Sequence, residues 1–334
     1  MNGVLELFSG IGGMHYALKY SGVPGTVKAA IDINPVANEV YSHNHPDVLL
    51  LNKNIQSLTP AKIKTFGVNT ILMSPSCQPF TRNGKQLDSL DARTDALKHI
   101  SSILKDLTTI EYILMENVKG FETSRSRDSY LNALKEVGFY IREFILSPSH
   151  FGVPNTRHRY FCLARKSKDF QFGGDTLWTE IPNDFKIPCF EKSLVKDHLE
   201  NSVEDFQLPE ELLRKRLGVL DIVSKTSKNS ICFTKAYTHY LEGTGSIYSP
   251  LEENQLQNIF KEMKTIDINS DEYTNLLKSL SLRYFTPREV ANLMCFPGDF
   301  TFPASVTNKQ KYRVLGNSIN VLVVGELVKI LFQG

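Results

Sequence analysis

Val4-Leu5-Glu6-Leu7-Phe8 runs without a break into Ser9-Gly10-Ile11-Gly12-Gly13, and a helical stretch over 13–20 follows. An apolar run of strand length, a glycine-rich turn and a helix make the opening unit of a doubly wound parallel sheet. Glycines in such a turn let the backbone approach a ligand closely, and the helix amino end behind them offers free N–H groups. A dinucleotide fingerprint of the form G-x-G-x-x-G needs glycine at 15, where His15 stands, and this argues against a nicotinamide oxidoreductase.

Further strand-like runs over 27–31, 70–73, 112–115, 141–146 and 160–164 alternate with helical stretches such as 36–43 and 93–107. The alternation predicts an α/β fold, a doubly wound and mostly parallel sheet over 1–168. Segment 169–281 lacks that rhythm. It is richer in polar residues and turn signals, its Phe170, Phe172, Trp178, Phe185 and Phe190 are irregularly spaced, and it reads as a smaller inserted domain. The rhythm returns over 282–334, which is expected to pack back onto the first unit. Pro287 suits the first turn of a helix running to Met294, and 319–332 reads as a final helix.

Composition narrows the class of protein. A chain of 334 residues, 41% hydrophobic and 22% charged, can bury one large core and a smaller one. No run of eighteen apolar residues and no leader-like amino end is present, so no membrane span is expected. The net charge of +2 gives no electrostatic footprint for nucleic acid. Basic residues do cluster around Arg82, Lys85 and Arg93, around Arg157, Arg159 and Arg165, and over Arg214, Lys215 and Arg216, but such runs are equally the solvated faces of a globular protein. Cys77, Cys162, Cys189, Cys232 and Cys295 form no C-x-x-C pair. That excludes a zinc deaminase signature, predicts neither metal nor disulfide, and suits a reducing compartment, cytoplasmic or also nuclear.

Four strand ends carry groups that could do chemistry, and in an open α/β sheet those ends face one crevice. The first is the glycine turn. The second is Asp32, placed to accept hydrogen bonds from ribose hydroxyls or, alternatively, to cap the helix before Pro35. The third leads through Ser74-Pro75-Ser76 to Cys77, a cysteine on a proline-stiffened turn; alone, such a cysteine is as readily an inert small hydrophobe. The fourth closes on Glu116-Asn117-Val118. A glutamate ending an apolar strand is expensive to bury as a charge unless paired, and a carboxyl kept neutral there can serve as a general acid.

The order L-F-S-G-I-G-G, P-S-C-Q-P-F, E-N-V, R-H-R (157–159) and G-N-S (316–318) resembles the cytosine-5 methyltransferase family over nearly the whole chain. Cys232-Phe233-Thr234-Lys235, Tyr240-Leu241-Glu242-Gly243-Thr244-Gly245, the run from Ala30 to Asn34 and the run from Leu282 to Pro287 resemble its tRNA-aspartate methyltransferase branch.

The resemblance implies a Rossmann-like, S-adenosylmethionine-dependent catalytic domain with S-adenosylhomocysteine as product, and assigns 169–281 to target recognition. It implies that the Cys77 thiolate adds to carbon 6 of cytosine, that Glu116 shares a proton with N3, that Arg159 contacts O2 and that Arg157 helps hold the cysteine loop. For the cofactor it implies Phe8, Ser9, Gly10, Ile11, Gly12 and Gly13, then Asp32 with Ile33, Ile55 with Gln56, Ser74 with Pro75, and Asn317 with Ser318. The family's acidic residue before the adenine contact is replaced here by Asn54, so Asn54 or a backbone group is expected to serve.

The loop over 81–86, with a glycine and two cations, is expected to order over a base flipped out of its stack. Ser76 stands where the family usually has proline; it adds backbone freedom to the turn but removes no catalytic group, so an active enzyme is expected. The expected substrate is a cytosine in the anticodon loop of tRNA-aspartate and the expected state a monomer. Duplex DNA is the alternative substrate, and a nucleic-acid-binding homologue weakened by Ser76 is the alternative of a different class.

Overall fold

The centre of the molecule is β1 (Asn2–Leu7), buried from Gly3 to Leu7. A parallel strand with helices on both faces has no polar side, which is why Val4, Leu5 and Leu7 are all apolar and Glu6 between them is buried. The computed structural model describes residues 2–75, 95–173, 176–182, 191–201, 203 and 205–333. Cys77, Ser76, the loop over 81–86 and the aromatics Phe185 and Phe190 lie outside the described residues.

Around β1 are β2 (Gly25–Asp32), β3 (Leu49–Asn52), β4 (Thr70–Met73), β5 (Tyr112–Val118), β6 (Tyr140–Leu146), β7 (Arg159–Arg165) and β8 (Leu177–Trp178), in the order β3-β2-β1-β4-β5-β7-β6-β8. The strands from β3 to β5 are parallel to their neighbours, whereas β7 runs antiparallel to both β5 and β6. The chain moves one way from β1 to β3 and then the other way from β4, so the switch point falls at the carboxyl ends of β1 and β4. The expected mostly parallel sheet is present. The edge strand β3 was not anticipated: four partly exposed residues carry no readable period.

The helices of the first part are α1 (Gly13–Ser21), α2 (Pro35–Asn44), α3 (Pro60–Thr65), α4 (Asp95–Ile103) and α5 (Arg125–Glu136). The helix expected over 93–107 is shorter at its carboxyl end, where Leu104–Asp106 tightens into a 3-10 turn. Beyond residue 169 come α6 (Glu210–Arg216), β9 (Ile222–Val223), β10 (Ile247–Tyr248), α7 (Glu253–Met263) and α8 (Asp271–Ser279). A second sheet, in the order β11-β10-β9, is completed by β11 (Arg283–Tyr284) from the returning segment.

The last three helices are α9 (Pro287–Leu293), α10 (Asn308–Gly316) and α11 (Val321–Phe332). Thr286 and Glu289 cap α9 reciprocally, with Pro287 in its first turn. Glu289 also holds Arg283 through two bonds of 2.8 Å, which pins β11 to α9. Residues 308–332 form two helices broken at 317–320, the polar, partly exposed α10 and the apolar, mostly buried α11, rather than one continuous rod. Helix α11 packs so closely on α1 that a Cβ at Gly325 would stand 2.3 Å from the Tyr20 ring. Val4, Phe144, Leu256 and Leu327 belong to one continuous hydrophobic cluster, so the segment after 169 shares a core with the sheet.

Candidate active site

The glycine turn sits at the carboxyl end of β1 in a conformation few side chains allow. Gly10 and Gly12 have φ of +54° and +85°, and Phe8 is also at positive φ, a strained position for a residue with a Cβ. A Cβ at Gly12 would meet the His45 ring at 2.8 Å and one at Gly13 would meet Ile319 at 2.8 Å, whereas Gly10 faces open space. The turn is therefore packed from behind and bare in front.

Asp32, at the end of β2, locks this turn. Its Oδ2 accepts from the Gly10 N–H at 2.9 Å and its Oδ1 from the Asn34 N–H at 2.8 Å. The helix-capping alternative is overturned, since Asn34 caps α2 by accepting from Val36 and Ala37. Asp32 keeps spare lone pairs toward the crevice.

A cavity of ≈ 310 Å³ opens here, bounded by Phe8, Gly10, Asp32 and Ile33 on one side. Ser74 and Pro75, Glu116, Arg157 and Arg159, and Asn317 and Ser318 complete it. Fold topology thus brings together residues from the carboxyl ends of β1, β2, β4 and β5, the amino end of β7 and the segment after α10. Ser9, Ile11, Gly12 and Gly13 support the turn without lining the cavity. Ile55 and Gln56 do not line it either: Ile55 is buried, and Asn54 accepts from the Gln56 N–H at 3.0 Å and donates to its side-chain oxygen at 2.9 Å. The Asn54 side chain is thereby committed to its own turn.

Glu116 is buried and held from two sides. The Ser74 hydroxyl donates to Oε2 at 2.6 Å, and Arg159 Nε stands 3.3 Å from Oε1. Arg157 is buried too, and its guanidinium donates to the carbonyls of Phe233, Gly316 and Ser318. Among the described residues it fastens the second sheet's approach segment and the turn after α10 to the crevice wall; the cysteine loop it was expected to hold lies outside them.

Two features were not visible in sequence. Cys232 Sγ lies 3.3 Å from Arg157 Nη1 and 3.8 Å from Arg159 Nη2. Burial pushes this thiol up, but the two guanidiniums outweigh burial and bring it below its ordinary value. Behind the glycine turn, the Tyr41 hydroxyl donates to the fully buried Glu6 at 2.8 Å, and His15 stacks on His45 at 3.8 Å. Burial raises Glu6 to about 8 and lowers His15 and His45 to about 4 and about 3.

The crevice suits S-adenosylmethionine. Ser318 and Asp32 line the crevice, Ile33 leaves an apolar side chain 65% exposed at the rim, and a Cβ at Gly10 would meet nothing within 4 Å among the described residues. Such a surface can offer a hydroxyl, an acid and an apolar face to a ribose, a base and a thioether-like chain.

Comparison with known proteins gives a consistent result. Residues 3–333 match the family described as C-5 cytosine-specific DNA methylase. A Spodoptera frugiperda protein named tRNA (cytosine(38)-C(5))-methyltransferase is 51% identical over 332 residues, covering 99% of both chains. A human protein of the same name is 41% identical, again over 99% of both. The crystal structure of a Spodoptera frugiperda DNMT2 mutant superposes with a TM-score of 0.90 at 50% identity, covering 99% of this chain and 100% of that one.

Proposed function

Since the chain belongs to the C-5 cytosine methyltransferase family, we propose that it methylates carbon 5 of a cytosine in tRNA, at position 38 in the anticodon loop of tRNA-aspartate. The convergence of Ser74, Glu116 and Arg159 on one wall of a crevice whose other wall is the Gly10–Asp32 turn carries this reading. The substrate follows from relatives named for tRNA that match this chain from end to end.

S-adenosylmethionine, the family's methyl donor, supplies an electrophilic methyl group. The residues that would hold it are the Phe8–Gly13 turn, Asp32 for its ribose hydroxyls, and Asn317 with Ser318 for its methionine part. The remaining work falls to this chain's side chains. Carbon 5 of cytosine is a poor nucleophile until the ring's aromaticity is broken. The Cys77 thiolate forms a bond to carbon 6 and the ring's electron pair moves toward carbon 5 and N3. Glu116, fixed by Ser74 and Arg159, shares a proton with N3 as charge develops there, and Arg159 bonds to O2. After the methyl group has joined carbon 5, a base removes the carbon 5 proton, the carbon–sulfur bond breaks and the thiolate leaves. The target base must leave its stack to reach this crevice, and we assign residues 169–281 to target recognition. The free thiols Cys162, Cys232 and Cys295 suit a reducing compartment, and we assign the protein to the cytoplasm or nucleus.

The test is covalent trapping. On tRNA carrying 5-fluorocytosine the carbon 5 substituent cannot leave as a proton, so the adduct should persist. Wild type should give a denaturation-resistant protein–RNA band that Cys77→Ala lacks. A band of equal strength from Cys77→Ala would contradict the reading.

A further inference from the structure

Beside the crevice, one peptide away, lies a second groove of ≈ 1090 Å³ that the methyl-transfer chemistry does not use. The Thr234–Lys235 peptide is the partition. It packs against Gly316 of the crevice so tightly that a Cβ there would stand 2.1 Å from the Lys235 nitrogen, while Thr234 and Lys235 line the groove.

From Thr234 the chain makes a short helical turn, with Tyr237 N–H bonded to the Thr234 carbonyl and Tyr240 N–H to the Ala236 carbonyl. Tyr237 anchors it: the buried hydroxyl donates to the Ser246 carbonyl at 2.7 Å and accepts from the Phe285 N–H at 2.9 Å. Its ring meets Phe233 and Tyr312 edge-on. Three residues later Tyr240 stands 64% exposed in the groove, with the His239 ring edge-on at 4.5 Å. The Thr244 hydroxyl donates to the Tyr240 carbonyl, so the exposed ring springs from a fixed backbone. Exposed Lys235 and Arg216 flank it, against a single acid, Glu242.

One exposed aromatic is ordinary on a protein surface. An aromatic on a rigid turn, inside a groove with an excess of cations and one peptide from the catalytic crevice, has the make-up of a stacking platform for single-stranded nucleic acid. We propose that this groove holds a base of the RNA substrate other than the target cytosine, stacked on Tyr240, with Lys235 and Arg216 meeting the adjoining phosphates. The proposal rests on the tRNA reading above and deepens it. A loop base suits the site because every base presents a π face and the groove lies one peptide from the crevice that takes the target.

The experiment compares wild type, Tyr240→Ala and Tyr240→Phe, measuring Kd for the aspartate tRNA anticodon stem-loop, KM and kcat for methylation of the tRNA, and Kd for S-adenosylmethionine. Tyr240→Ala should weaken RNA binding about 5- to 150-fold, the range for loss of one base–aromatic stack, with cofactor affinity unchanged. Tyr240→Phe should retain near wild-type affinity, because the ring and not the hydroxyl makes the contact. In a scan that removes one loop base at a time, one abasic position should weaken wild type but not Tyr240→Ala. Unchanged RNA affinity in Tyr240→Ala, an equal loss in Tyr240→Phe, or no such abasic position overturns the proposal. A stem-loop that binds but takes no methyl group counts against the assigned target, and the Kd comparison still decides the groove.

Discussion

Arg159 Nε stands 3.3 Å from Glu116 Oε1 while the Ser74 hydroxyl holds the other oxygen of the same carboxyl. Two donors on two different strand ends therefore fix one acid before any base arrives, and an acid fixed in advance needs no reorganisation when charge develops on its partner. Glu116→Gln keeps the shape but has no carboxyl proton to share. We expect kcat to fall about 10²- to 10³-fold with tRNA affinity changed only a few-fold, measured by steady-state methylation and by binding. A fall in kcat of less than five-fold would mean that Glu116 is only a wall of the crevice.

The bond from the Gly10 N–H to Asp32 predicts a cofactor effect larger than one lost ribose contact. Asp32→Ala removes the acid and also releases the turn. Calorimetric titration with S-adenosylhomocysteine should show affinity weakened by about 1.5–3 kcal/mol, with Asp32→Asn in between. Equal affinity in all three proteins would place the nucleoside elsewhere.

Glu6, His15 and His45 predict a pH dependence of stability with two opposed arms. Burial keeps folded Glu6 protonated until about 8, whereas the unfolded residue ionises from 4.5, so stability drains as pH rises across that window. Unfolded histidine takes a proton below about 6.5, but folded His15 and His45 resist until about 4 and about 3, so stability is lost as pH falls through that range. Between pH 6.5 and 8 only the Glu6 arm acts among these three. The unfolding free energy of Glu6→Gln minus that of wild type, from urea titrations, should rise across that interval with a slope of at most about 1.4 kcal/mol per pH unit. Parallel curves would show that Glu6 ionises normally in the fold.

Gly316 has no room for a side chain. A Cβ would stand 2.1 Å from the Lys235 nitrogen and 2.2 Å from the Thr234 carbonyl carbon, and a backbone contact cannot be relieved by a rotamer change. Gly316→Ala should cost about 1–3 kcal/mol or more in stability, read as a lower denaturant midpoint. Unchanged stability would mean that the partition between crevice and groove is soft.

Much of this was legible in the sequence, for identifiable reasons. The runs of β1, β4 and β5 are almost wholly apolar because helices cover both faces, so their ends, with the glycine turn, Ser74, Pro75 and Glu116, are located by the pattern alone. The sequence offers Asp32 two roles, and the structure gives the helix cap to Asn34. Arg157 is named for the site by the family resemblance, but its carbonyl partners Phe233 and Gly316 lie 76 and 159 residues away, and no local period encodes such a meeting. Nothing local to β1 marks Glu6 as a buried acid, since its partner Tyr41 arrives from α2. The Cys232 site is of the same kind, a conjunction of 157–159 with a distant turn.

Ser76, in place of the proline usual in the family, lies outside the described residues but makes its own prediction. Wild type should turn over, and Ser76→Pro should change its rate only modestly, since a proline exchange at a compatible turn shifts stability by about 0.4–1 kcal/mol. Turnover that appears only in Ser76→Pro would identify the native chain as a binding protein.

Transfer of a labelled methyl group tests the central claim most directly. Wild type and Cys77→Ala are incubated with tritiated S-adenosylmethionine and either aspartate tRNA or duplex DNA, and the labelled nucleoside is identified. Label should enter tRNA as 5-methylcytidine in the anticodon loop with wild type alone. Label that enters only DNA, or that enters tRNA equally with Cys77→Ala, would contradict it.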